Sequence, residues 1–130
     1  MPYGETIPVF YHSVPALACR DIEETIAYYQ DVLGFTEEGR WGDPTSEAVI
    51  SRDHLQLILS HDPDLASRVR GQEIVLFVDE VEQVYEEHMN SGADIISDLR
   101  EEPWGTREYT VRDNNGYYLR VSQSINATVF

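Results

Sequence analysis

Residues 14–35 read VPALACRDIEETIAYYQDVLGF, and residues 73–94 read EIVLFVDEVEQVYEEHMNSGAD. Laid over each other at a separation of 59 positions, they match in kind: Leu17 falls on Leu76, Ile22 on Val81 and Ile26 on Tyr85. Each opens as a short apolar strand and continues as a helix. In the first, Asp21 offers a helix cap, and Glu24, three residues on, fits a capping box that answers the free N–H groups of the first turn. Ile22, Ile26, Tyr29 and Leu33 follow at helical spacing, and Gly34 is a plausible stop. In the second, Val81, Tyr85 and His88 form the apolar stripe, and Gly92 closes it.

Strands follow each helix. The first strand is expected over 13–19. Two or three come after the first helix, the clearer ones running from Glu47 to Arg52 and from His54 to His61, where Leu55, Leu57 and Leu59 alternate to one face. The second half repeats the plan: a strand from Glu73 to Val78, the helix, then strands from Ile95 to Leu99, Thr106 to Arg112 and Tyr117 to Gln123. Asn114-Asn115-Gly116 supplies the tight turn between the last two, since Asn and Gly tolerate positive φ. Late in each half the separation becomes 64, with Leu55 on Leu119 and Gln56 on Arg120. A helix after the first strand of both halves, at matching phase, marks an internal duplication. The expectation is an α+β chain of two tandem βαβββ modules, about 8–61 and about 71–124, forming a single domain over 1–130 with a cleft between the modules.

The totals bound the function. The chain has 130 residues and 42 % hydrophobic residues, enough for a packed core. No apolar run approaches a membrane span, and residues 1–5 lack the basic start of a signal peptide, so the reading is cytoplasmic. Net charge is −15, from 24 acids against nine bases, all of them Arg. That field repels phosphate backbones and anionic membranes and attracts cations, which argues against nucleic acid as a partner. Genome composition or a saline habitat is the favoured explanation of the acidity, with attraction of a ligand as the alternative. Cys19 is the single cysteine, next to Leu17 and Ala18, and reads as a buried, inert thiol. No nucleophile constellation or phosphate-cradling loop is present, so no catalytic residue and no cofactor is assigned.

Leu17-Ala18-Cys19-Arg20-Asp21-Ile22 and the run from Tyr28 to Phe35 resemble the first βα unit of the vicinal oxygen chelate superfamily, which comprises glyoxalases, bleomycin-resistance proteins and extradiol dioxygenases. Pro103-Trp104-Gly105-Thr106-Arg107-Glu108, with Val111 through Arg120, resembles its closing hairpin, nearest to the bleomycin-resistance-like members. The resemblance implies the two-module fold, but not one activity, since the superfamily houses isomerases, dioxygenases, drug-modifying transferases and plain binders. It also implies where a metal would sit: His or Glu on the first and last strands of each module. Position by position, those places hold Val14, Gln56, Glu73 and Arg120. Val14 has no donor, Gln56 a weak one, and Arg120 is a permanent cation. No metal site is therefore expected. The competing possibility is a slip of two residues that brings in His12 beside Glu73. His54 and His61 read as exposed, and His88 as a packed core histidine.

Strand alternation assigns the face turned away from the helices. Val14, Ala16 and Ala18 fall on it, with Gln56, Ile58 and Ser60, then Glu73, Val75 and Phe77, then Tyr118, Arg120 and Ser122. From these the expected ligand-binding set is Val14, Ala16, Gln56, Ile58, Glu73, Phe77, Trp104, Tyr118 and Arg120. Trp104 is placed at the rim after Pro103, where it either stacks on a ligand or braces the turn; Trp41 offers the same in the other half. Glu73 and Arg120 either pair with each other or contact the ligand. The leading expectation is a metal-free small-molecule binder, a homodimer similar to bleomycin-resistance proteins, with a cationic or planar ligand and a role in antibiotic resistance. The alternative is a metal-dependent glyoxalase-like lyase, isomerase or dioxygenase. A third is a chain whose cleft serves only as a dimer interface.

Overall fold

A computed structural model describes residue 4 and residues 6–126. The first five residues, on which the reading of no signal peptide rests, lie outside the described residues apart from Gly4. Module one consists of β1 (Ala16–Cys19), α1 (Ile22–Asp31), β2 (Thr36–Trp41), β3 (Glu47–Arg52) and β4 (Leu55–His61). A short helix, α2 (Pro63–Ala66), leads to module two: β5 (Glu73–Phe77), α3 (Val81–Ser91), β6 (Asp94–Glu102), β7 (Thr106–Arg112) and β8 (Tyr118–Ser124). Each module is a four-stranded sheet, ordered β1-β4-β3-β2 and β5-β8-β7-β6. In both, the first strand pairs parallel with the last and the other pairs are antiparallel. This is the duplicated α+β plan read from the sequence. The sequence reading did not include α2, which Asp62 caps through Leu65 N–H at 3.0 Å with Pro63 in the first turn.

Two details differ from expectation. The first strand begins at Ala16 rather than residue 13, because Pro15 has no N–H and cannot continue the ladder. Its carbonyl still accepts from Ile58 N–H at 2.9 Å, so Val14 lies just ahead of the strand. The register also revises the late correspondence. Ala16 stands opposite Ile58, and Val75 opposite Arg120, so β4 and β8 are related by 62 positions, not 64. The counterpart of Arg120 is Ile58, and that of Gln56 is Tyr118. The slip of two is even, which preserves the face and changes only the depth along the strand.

The Asp21 and Gly92 signals hold, whereas α1 ends at Asp31 with Val32 as its cap, two residues before the expected stop at Gly34. Asp21 accepts from Glu24 N–H at 3.0 Å, and Gly92 ends α3 with φ 85°, a left-handed cap that glycine adopts without Cβ strain. Ile22, Ile26, Tyr29 and Leu33 are buried against Leu17, Cys19, Leu57 and Leu59. Val81 and His88 are buried on the corresponding side of module two, and one continuous apolar core joins the modules. The hydrogen bonds described between the modules come from helices, turns, the outer edge of β1 and the last residues of β3 and β7. Tyr29 Oη donates to Asp113 Oδ2 (2.6 Å), Tyr117 Oη accepts from Ala18 N–H (2.9 Å), and Ser91 Oγ donates to the Val32 carbonyl (2.7 Å). Arg52 pairs with Glu87 at 2.6 Å. Among the described residues no helix is long and apolar enough to cross a membrane.

Candidate functional site

The helix-averse face of the second sheet carries the densest polar chemistry. Strand pairing sets Glu73 opposite Tyr118, Val75 opposite Arg120 and Phe77 opposite Ser122. On the other side of β8, Ser122 stands opposite Glu108, and Arg120 opposite Thr110. Arg120 Nη1 donates to Glu73 Oε1 at 2.8 Å, and its Nε lies 3.5 Å from Glu108 Oε2. Glu108 is only 6 % exposed. It accepts from Thr106 Oγ1 (3.0 Å) and Ser122 Oγ (2.7 Å), which replaces much of the solvation lost on burial. One guanidinium thus serves two carboxylates, so the centre of this face has a net negative charge. Arg120 Nε is buried and has no hydrogen-bond partner among the described residues.

The expected site residues divide between two sheets. Glu73, Phe77, Tyr118 and Arg120 share the second sheet, Tyr118 and Arg120 half-buried and Glu73 exposed. Phe77, at the end of β5, is 42 % exposed. Gln56 and Ile58 lie on β4, Ala16 is exposed at the start of β1, and Val14 precedes that strand. No hydrogen bond described among the face residues joins one sheet to the other. Ala18, expected on the open face, is instead buried, with its N–H bound by Tyr117. Trp104 is half exposed in the β6–β7 turn. Glu108, with Thr106 and Thr110, is the part that the sequence reading missed. The alternation of Thr106-Arg107-Glu108-Tyr109-Thr110-Val111 around buried Tyr109 and Val111 carried the signal.

The donor set does not fit the metal that the superfamily's enzymes use. The guanidinium of Arg120 lies on the one carboxylate, Glu73, that would ligate, and Ile58 and Val14 offer hydrocarbon where donors are needed. Among the described residues no three His, Cys, Asp or Glu are grouped to hold an ion. His12 is exposed in the extended segment before β1. Burial pushes the Cys19 thiol up to about 11, so it is not a thiolate at neutral pH.

Two duplicated βαβββ modules, each with its outer strands parallel, define the class. The sequence profile of the Glyoxalase/Bleomycin resistance protein/Dioxygenase superfamily matches residues 12–121, and the chain belongs to that superfamily. Among solved structures, a bleomycin resistance determinant encoded on transposon Tn5 aligns with TM-score 0.76 and 23 % identity, over 88 % of this chain and 98 % of that one. The bleomycin-binding protein from bleomycin-producing Streptomyces verticillus, complexed with copper(II)-bleomycin, aligns with TM-score 0.72 and 23 % identity, over 88 % and 97 %. Lactoylglutathione lyase from Agrobacterium tumefaciens aligns with TM-score 0.71 and 20 % identity, over 89 % and 95 %. At these identities the likeness is one of fold. No curated protein matches the chain.

Proposed function

We propose that the chain is a metal-free binder of a small organic cation, held on the Glu73, Glu108, Tyr118 and Arg120 face and covered by a second copy. The observation that carries this reading is the charge of that face. Arg120 is outnumbered by Glu73 and Glu108, so an anionic ligand would meet a surplus of negative charge and a cation would relieve it. Net charge of −15 raises the local concentration of cations around the whole molecule. Phe77 and Tyr118 add aromatic surface, worth about 0.5–2 kcal/mol for each cation–π contact. Glu73 and Phe77 are exposed in the single chain, and the segment before β1 exposes Ile7, Val9, Phe10 and Tyr11, with Phe10 99 % exposed. Apolar surface of that kind marks an interaction site, and a two-fold partner closes it most simply.

Calorimetric titration with a bleomycin-type glycopeptide tests the reading. Binding is expected at low salt, weaker at about 0.5 M salt because attraction to the acidic surface is screened, and weaker again in Trp104→Ala. Binding only of anionic metabolites would refute it. Elemental analysis of protein purified without chelators tests the metal-free part. About one equivalent of a divalent metal per chain, lost in Glu73→Ala, would favour the lyase or dioxygenase class instead.

A further inference from the structure

The duplication gives the joint between the modules two equivalent ends, and the chain fills them differently. At one end the long β7–β8 turn, Asp113 to Tyr117, reaches across to module one. Asn115 Oδ1 accepts from Arg20 N–H at 3.0 Å, Tyr117 Oη from Ala18 N–H at 2.9 Å, and Asn115 Nδ2 donates to Thr25 Oγ1 at 2.9 Å. Tyr29 Oη donates to Asp113 Oδ2. At the other end the β3–β4 turn is only Asp53-His54, and a cavity of about 710 Å³ remains. Its walls are the positions that the long turn covers at the first end. Phe77, Val78 and Asp79 stand 59 residues after Ala18, Cys19 and Arg20; Val84 follows Thr25, and Glu87 and His88 follow Tyr28 and Tyr29, at the same interval.

His88 makes the difference concrete. Tyr29 finds Asp113 in the long turn, whereas His88, 5 % exposed at the equivalent place, has no hydrogen-bond partner at Nε2. The Tyr109 hydroxyl lies 2.7 Å from Nδ1; where it donates, the imidazole proton falls on Nε2. Nε2 thus lacks the hydrogen bond that Tyr29 makes to the turn at the other end, with Glu87 Oε2 3.8 Å away. Nε2 is shielded from solvent, and His88 lines the cavity. The floor is apolar, with Leu33, Phe35, Leu76 and Val121, and the rim carries Asp53, Asp79, Glu80 and Glu87 against Arg52.

We propose that this cavity is a second ligand site, sharing only Phe77 with the sheet face, for a small aromatic amine bearing a hydroxyl or carbonyl acceptor. The ring takes the apolar floor, the acceptor meets His88, and the amine meets the carboxylate rim. A carboxylate in place of the amine is repelled. Tyramine is the probe, followed by ¹H–¹⁵N spectra of the full chain with the His88 ring nitrogens included.

Saturable shifts are expected at residues 33–35, 52–55 and 76–88, together with a change at His88 Nε2. Phenethylamine and 3-(4-hydroxyphenyl)propanoate should each bind at least about tenfold more weakly. Val84→Trp, which fills the cavity, should abolish the shifts, and Tyr118→Ala, on the sheet face, should leave them unchanged. Should Val84→Trp not fold, Asp79→Asn with Glu80→Gln on the exposed rim should weaken tyramine by about threefold or more. No saturable shift, equal binding of the propanoate, shifts confined to residues 73, 75, 118 and 120, or undiminished affinity in the folded variants would overturn the proposal.

Discussion

Arg120 shows how much one side chain sets on this chain. It answers a half-exposed carboxylate, Glu73, and a buried one, Glu108. The Glu73 pair, open to solvent, contributes about 0–1 kcal/mol. Arg120→Leu should nevertheless cost about 1–3 kcal/mol in urea unfolding, because Glu108 is left buried with only two hydroxyl donors. Glu108→Gln in the same background should recover part of that loss; no recovery would mean that the Glu108 charge is not the source. His88 gives a pH signature. Burial lowers its pKa, Arg52 works in the same direction, and Glu87 and the Leu33 carbonyl oppose them. As pH falls through the ordinary histidine range, about 6.5, the unfolded chain takes up a proton that the folded chain refuses. Folding is therefore weakened below that pH and fully supported above it. His88→Gln should lose less stability than the parent between about pH 7 and about pH 5. Equal slopes in urea titrations of the two would remove His88 from the account.

At the scale of elements, the β7–β8 turn is the joint of the molecule. Asp113 accepts N–H groups from Asn115 and Tyr117 at 2.9 Å each, which shapes the turn before it meets module one. Tyr117 then covers the outer edge of β1, a strand edge that would otherwise present an unpaired, buried Ala18 N–H. Tyr117→Phe keeps the ring and removes the acceptor, so it should cost about 1–3 kcal/mol, read by urea unfolding. A cost near zero would show that water replaces the hydroxyl. This reach across the modules was not visible in the sequence. Asn114-Asn115-Gly116 announced a tight turn, and it sits inside the longer connection from Asp113 to Tyr117. Nothing in its spacing said that Asn115 and Tyr117 would bond to residues about a hundred positions earlier, because such bonds depend on how the modules are set together.

For the whole molecule, acidity and an open face act against each other. Two chains of −15 repel, so screening should strengthen the proposed homodimer. Sedimentation at low and high salt should show the dimer fraction rising with salt at fixed protein concentration, while cation binding falls. A monomer under all conditions would remove the second copy as the cover of the sheet face. Opposite salt responses of assembly and binding separate the two processes in one series of measurements.

The duplication was legible because local rules write it: the capping Asp21, two apolar stripes at helical spacing, Gly92 past a helix end and alternation along the strands. These depend on neighbours within a few residues, so sequence alone determined the α+β plan and the order of elements within each module, though not α2 between them. It also determined which face of β5 and β8 bears Glu73 and Arg120, since alternation has a period of two and survived a shift of two in register. Tertiary structure alone decided the depth of that register, the burial of Glu108 beneath Arg120, and the end of the joint that was filled. Those outcomes follow from packing between residues far apart in the chain, where a turn three residues longer closes one end and a turn of two leaves the other open.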